Sequence, residues 1–171
     1  MGPLIRPFLD FHPKIDEGAW IAENAVIIGR VTIEKRANIW YNCVLRGDVN
    51  SIYIGEESNI QDGSIIHVNE NPSHPTIIES SVTVGHMAAI HGCTLKKNCL
   101  IGIQATVLNG AVVEEGALVA AGSLVREGQV VPSGMLVAGV PAKPIRALSP
   151  EESKFLQHQP VHYWDDIASK Y

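Results

Sequence analysis

Three of the seven histidines, His67, His86 and His91, fall inside a regular repeat, where their rings have the spacing to chelate one metal ion. Neutral imidazole suits zinc, and also cobalt or iron. A catalytic zinc commonly takes three protein ligands and leaves a fourth position for water. A Zn2+ site, with Fe2+ or Co2+ as alternatives, is therefore the chemistry these residues point to. The plainer alternative is a set of histidines that only hydrogen-bond across an interface. Gln61 and Asp62 occupy the hexad before His67. Gln61 is uncharged, which suits orienting a hydroxide or substrate better than moving protons, and Asn59 shares that character. Arg46 and Asp48 flank Gly47, a spacing that puts both side chains on one side of an extended strand. They read either as an ion pair between subunits or as a structural pair. His12, His74, His158 and His162 lie outside the repeat, and of these only His74, in a loop, is a minor candidate.

The repeat must position these groups. Aliphatic residues recur every sixth position at Ile15, Ile21, Ile27, Ile33, Ile39 and Leu45, then at Ile54, Ile60 and Ile66, then at Ile78, Val84 and Ile90. One five-residue step leads to Leu95 and on through Val137, twenty hexads within 15–142. The residue three after each aliphatic is Gly, Asn or Asp in twelve of the twenty, among them Asn42, Gly63, Gly110 and Gly116. These types tolerate positive φ, so each hexad reads as a short strand and a corner. The residue four after is mostly small, as in Ala37, Ser64 and Ala105, which suits a narrow interior. Three hexads per 18-residue turn predict a triangular β-solenoid of six to seven coils, about 30 Å tall at strand spacing. A β-sandwich would instead alternate with period two.

On this register His67 and His86 are expected on one face, a rung apart, with His91 turned to the next face and reaching the metal of another subunit. Threefold packing of prisms, a homotrimer, would create three such sites. The segment from Val68 to Thr76 reads as a projecting loop. Ser149-Pro150-Glu151-Glu152 has the signature of a capping box, so residues 149–171 are expected to form a helix on the β-helix (1–148) or on a neighbouring subunit. Pro160 is expected to kink or interrupt it, and Trp164, Ile167, Ala168 and Tyr171 to form its apolar stripe.

Composition narrows the setting. A net charge of −5 argues against a nucleic-acid-coating protein. No secretory signal pattern opens the chain and no long apolar run crosses it, so no membrane attachment and a cytoplasmic location are the expectation. Cys43, Cys93 and Cys99 form no C-x-x-C unit and read as small buried residues.

Taken together, Arg46-Gly47-Asp48, Asn59-Ile60-Gln61-Asp62-Gly63, Ile66-His67, Gly85-His86 and Ile90-His91-Gly92-Cys93 resemble the γ-class carbonic anhydrase family, in the branch that includes ferripyochelin-binding-like proteins. The likeness extends to Gly139-Val140-Pro141-Ala142-Lys143 and the terminal helix. The resemblance implies an all-β solenoid, a left-handed parallel β-helix of hexapeptide repeats with a C-terminal α-helix. It also implies a homotrimer, and zinc or iron held by His67, His86 and His91. The implied reaction is reversible hydration of carbon dioxide to bicarbonate by metal-bound hydroxide at the trimer interface. By the same resemblance Arg46 and Asp48 form the interface ion pair, Gln61 orients hydroxide or bicarbonate, and Asp62 supports that shell. The family's founding pattern has a glutamate after the aspartate, where this chain has Val49, and an acidic loop after the first histidine, where it offers only Glu70. Slow turnover, or none in isolation, is therefore expected, with Glu70, His74 or Tyr163 as substitute proton carriers. Two other readings stand beside it. One is a hexapeptide-repeat acyltransferase using acyl-CoA, which needs one histidine and no metal. The other is a non-catalytic metal-binding or assembly protein.

Overall fold

The computed structural model describes residues 2–171. Its aliphatic columns stack in register as three parallel walls. The first runs Ile27, Leu45, Ile66, Ile90, Val107, Val125. The second runs Ile15, Ile33, Ile54, Ile78, Leu95, Val113, Val131. The third runs Ile21, Ile39, Ile60, Val84, Ile101, Val119, Val137. Together they make a left-handed β-helix of hexapeptide repeats. Nearly all of these residues are buried, each a side chain whose removal from water is worth about 1.5–3 kcal/mol. Ala37, Ser64, Ala88, Ala105 and Ala117 fill the corners of the interior. Most strands are two residues long because the chain must turn immediately afterwards. The two longest, Val26–Ile33 and Val44–Ile54, run through a corner and join the first two walls into one sheet.

The corners depart from the glycine and asparagine pattern in both directions. Arg36, Glu57, Ser81, Met87 and Gln104 adopt positive φ, whereas Gly18 and Asn24 do not. Stacking overrides local preference here: the N–H of Met87 bonds Asp62 O and that of Gln104 bonds His86 O, both at 2.9 Å, so each coil imposes its corner on the next. At the far end the strand Lys143–Ala147 pairs antiparallel with Met135–Ala138. With Lys143, Pro144 and Arg146 on it, this strand covers an edge that would otherwise template further pairing.

The expected capping box is present: Ser149 Oγ accepts from the Glu152 N–H, and Glu152 accepts in return from the Ser149 N–H. Arg146 grips Glu152 with two N–H groups at 2.7 and 2.8 Å. Of the expected kink or interruption at Pro160, the interruption does not occur. The helix Pro150–His162 passes through it and widens afterwards into a π-helical turn, Tyr163–Ile167. Of the expected stripe Ala168 is buried, but Leu156 and Pro160 join it while Trp164 and Ile167 are half-buried and Tyr171 is exposed. The helix lies on its own chain, because Tyr163 meets Trp40 edge-on at 5.8 Å and Arg36 binds Asp165 at 3.0 Å. Among the described residues no helix is long and apolar enough to cross a membrane.

All three cysteines are free and buried. Desolvation pushes the Cys43 and Cys93 thiols up to about 12 and raises Cys99 as well. Since the thiolate is the reactive form, Ellman's reagent at pH 8 is expected to titrate none of them in the folded protein and all three in guanidinium. Rapid labelling of the native chain would contradict this burial.

Candidate metal centre

His67 and His91, not His67 and His86, come together within the chain. Ile66 pairs with Ile90 and His67 with His91, so the two imidazoles follow the same column one coil apart. The cause is the loop. Six residues inserted after His67 stretch this turn from 18 to 24, so a residue 19 positions on, His86, falls a corner early, and one 24 positions on falls directly above. His67 Nδ1 and His91 Nε2 stand 3.0 Å apart.

The outer partners decide which atoms these rings present. Asp48 Oδ1 lies 3.0 Å from His67 Nε2. Burial would raise Asp48, but the Val49 N–H, His67 and Arg46 outweigh it and hold the carboxyl at about 2. Burial pushes His67 below the ordinary histidine value against the pull of Asp48. A neutral ring facing a carboxylate must carry its proton on Nε2, which leaves Nδ1 as a bare lone pair. On the other side His91 Nδ1 is 2.7 Å from Asn109 Oδ1. The Asn109 amide is oriented by Glu127, whose Oε1 accepts from Asn109 Nδ2 at 3.0 Å. His91 therefore donates from Nδ1, and its Nε2 faces the bare Nδ1 of His67 at 3.0 Å. Such a pair needs a positive centre between the two nitrogens, which a shared proton or a metal ion supplies. Two nitrogens about 2.0–2.1 Å from a tetrahedral zinc would stand roughly 3.3 Å apart. The donor set thus fits a divalent metal, with a carboxylate and an amide in the outer positions that fix histidine ligands.

His86 stands at the corner between the third and first walls. Its Nδ1 is 2.9 Å from Asp62 Oδ2, which turns Nε2 outward, and its side chain is 37% exposed. Among the described residues no three metal-ligating side chains gather within one chain. Arg46 pairs with Asp48 inside the chain, where the resemblance implies a pair between subunits.

Gln61 is 5% exposed, and its Nε2 donates to Asn59 Oδ1 at 2.9 Å. Asn59 donates to Asn38 Oδ1, which also accepts from Trp40 Nε1 at 2.8 Å. This line of amides fixes the Gln61 side chain with one amide N–H engaged and its carbonyl free. Burial, reinforced by the Asp62 carboxylate, raises Tyr163. In the loop, Asn50 holds the backbone carbonyls of Asn69 and Asn71 at 3.1 and 2.9 Å. Glu70 is exposed, whereas the His74 ring packs against Gly110. Sequence reasoning missed Asn109, Glu127, Asn38 and Trp40. The first two were findable, lying 18 and 36 residues after His91, one and two coils along the same corner.

The coil and its paired imidazoles define a hexapeptide-repeat β-helix protein with a metal-competent histidine pair. The family described as bacterial transferase hexapeptide (six repeats) matches residues 12–47. Gamma carbonic anhydrase 1, mitochondrial, of Arabidopsis thaliana is 45% identical over 90% of the chain, which spans 58% of that protein's length. A carbonic anhydrase of Geobacillus kaustophilus is 46% identical over 90% of the chain and 84% of its own length. A hexapeptide transferase family protein from Anaplasma phagocytophilum superposes with a TM-score of 0.94 at 43% identity, covering 98% of both chains. The chain belongs to the γ-class carbonic anhydrase family.

Proposed function

We propose that the protein is a γ-class carbonic anhydrase, hydrating carbon dioxide reversibly to bicarbonate at a site shared between subunits of a homotrimer. The observation that carries the proposal is the pair of imidazole nitrogens, His67 Nδ1 and His91 Nε2, converging at 3.0 Å. His86 of a second copy, its Nε2 turned outward by Asp62, completes three ligands. These three residues would hold zinc, or iron or cobalt, and the ion would supply a hydroxide nucleophile by bringing the pKa of its water to about 7. The chain's own groups do the rest. Asp48, Asn109 and Asp62 hold the three rings in their tautomers, and the free Gln61 carbonyl accepts a hydrogen bond from, and so orients, the attacking oxygen. Val49 stands where a proton-carrying carboxylate is expected, and His74 is packed in place, so the exposed Glu70 is the group free to pass protons to buffer.

Acyl transfer needs one histidine acting as base. It gives no role to a second imidazole turned nitrogen to nitrogen toward the first, which is why the metal reading is preferred. Stopped-flow pH-indicator measurements on zinc-loaded and anaerobically iron-loaded protein test the proposal. Hydration above the buffer rate is expected, with Gln61→Ala lowering kcat/KM about 10–100-fold. Stoichiometric metal with no hydration would leave a metal-binding protein instead, and metal-free protein that turns over acetyl-CoA would establish the transferase.

A further inference from the structure

The corner that carries Asp48 also borders a cavity of about 490 Å³, walled by Arg30 and Phe11 and edged by Lys14, Thr32, Ser51 and Asp10. That volume lies in the range of about 300–1,000 Å³ usual for small-molecule sites. Arg30 is held rigidly. Its guanidinium lies 4.3 Å from the centre of the Phe11 ring, and Nη2 donates to the Asp48 carbonyl at 3.2 Å. Its Nε is buried and closed to the hollow, whereas Nη1, which bonds nothing in the chain and is not buried, is the donor left to a ligand. Neither Arg30 nor Lys14 makes an ion pair among the described residues. In a chain of net charge −5, two unpaired cations bordering one hollow stand against the overall balance.

We propose that this hollow is a binding site for a small oxyanion, the carboxylate or phosphate group of a soluble metabolite. Arg30 provides a fork already fixed by stacking, so little rotamer freedom is lost on binding. Lys14 supplies a second charge, and the Ser51 and Thr32 hydroxyls add donors. Asp10 opposes the anion and sets its limit of affinity. The site contains none of the three metal-centre histidines, and the inference stands whether or not the carbonic anhydrase reading does.

Titration calorimetry of the full chain with inorganic phosphate and, separately, with citrate tests it, at ionic strength held constant with potassium chloride. At least one is expected to saturate at one per protomer, and which one does identifies the group. Arg30→Gln is expected to weaken binding about tenfold or more, and Asp10→Asn to tighten it, while Lys97→Gln, exposed on another coil, leaves it unchanged. An anion held by a metal or by general charge would survive Arg30→Gln. Wild-type affinity in that variant, or no saturation by either anion, overturns the proposal. Circular dichroism checks the fold of each variant. If Arg30→Gln does not fold, Lys14→Gln, an exposed position, carries the same test with a several-fold loss.

Discussion

Protomers carrying His86→Ala and protomers carrying His91→Ala, each metal-free alone, are expected to bind metal when co-expressed. The expectation follows from which rings share a chain. His67 and His91 are held together by the ladder between Ile66 and Ile90, while His86 points outward from another corner. An His86→Ala protomer keeps the paired imidazoles intact, and an His91→Ala protomer keeps the outward ring. In a mixed ring one interface therefore regains all three nitrogens, and with them metal and a fraction of carbon dioxide hydration. Each variant alone lacks one ligand at every interface. Losing one of three nitrogens removes most of the affinity, since a two-nitrogen zinc site falls short of the set that catalytic sites use. Inductively coupled plasma analysis of single and co-expressed proteins reads the result. Co-expression of His67→Ala with His91→Ala is the control and is expected to recover nothing, because both lesions fall in the same half-site. Recovery there, or full metal in either single variant, would remove the shared site.

The second large effect concerns the coil itself. A methyl group added at Gly102 would stand 2.4 Å from the backbone N of Ala121 and 2.7 Å from the carbonyl carbon of Ala120. Those atoms belong to the next coil, which is bound to this one through the Gly102 N–H to Val119 O hydrogen bond at 2.8 Å. No side chain can swing aside, so two coils must part and the buried Ile101 and Val119 lose their stacking. Gly102→Ala is expected to cost more than about 4 kcal/mol, in the range reserved for broken cores. Gly116→Ala provides the comparison. Nothing lies within 4 Å of its added methyl, but its φ is +65°, so only the left-handed backbone penalty of about 1–2 kcal/mol applies. Guanidinium midpoints should rank wild type, Gly116→Ala, Gly102→Ala, with the last largely insoluble. Equal midpoints for the two variants would mean the coils are not in contact as described.

The six-residue recurrence of Ile, Leu and Val was enough to determine the solenoid and its three columns, because a buried wall tolerates little else at those positions. Likewise Ser149, Pro150 and Glu152 determined where the helix starts, since capping is a local interaction. The types of residue that carry the chemistry, three imidazoles with Gln61, Asp62 and Asp48, were also legible from the chain alone. Their grouping was legible only through the hexads: counting residues across the loop puts His86 one turn after His67, whereas counting hexads, Ile66, Ile78, Val84 and Ile90, puts His91 in its column. The six extra residues in the loop between His67 and Thr76 separate the two counts, and the ladder between Ile66 and Ile90 decides for the second. Asn109 and Glu127 were findable by their coil spacing from His91, but the Asn38 and Trp40 support behind Gln61 and the Arg30 without an ion pair were not. Their roles arise from neighbours one or two coils away, and the stacking of coils is a property of the folded column rather than of any local stretch.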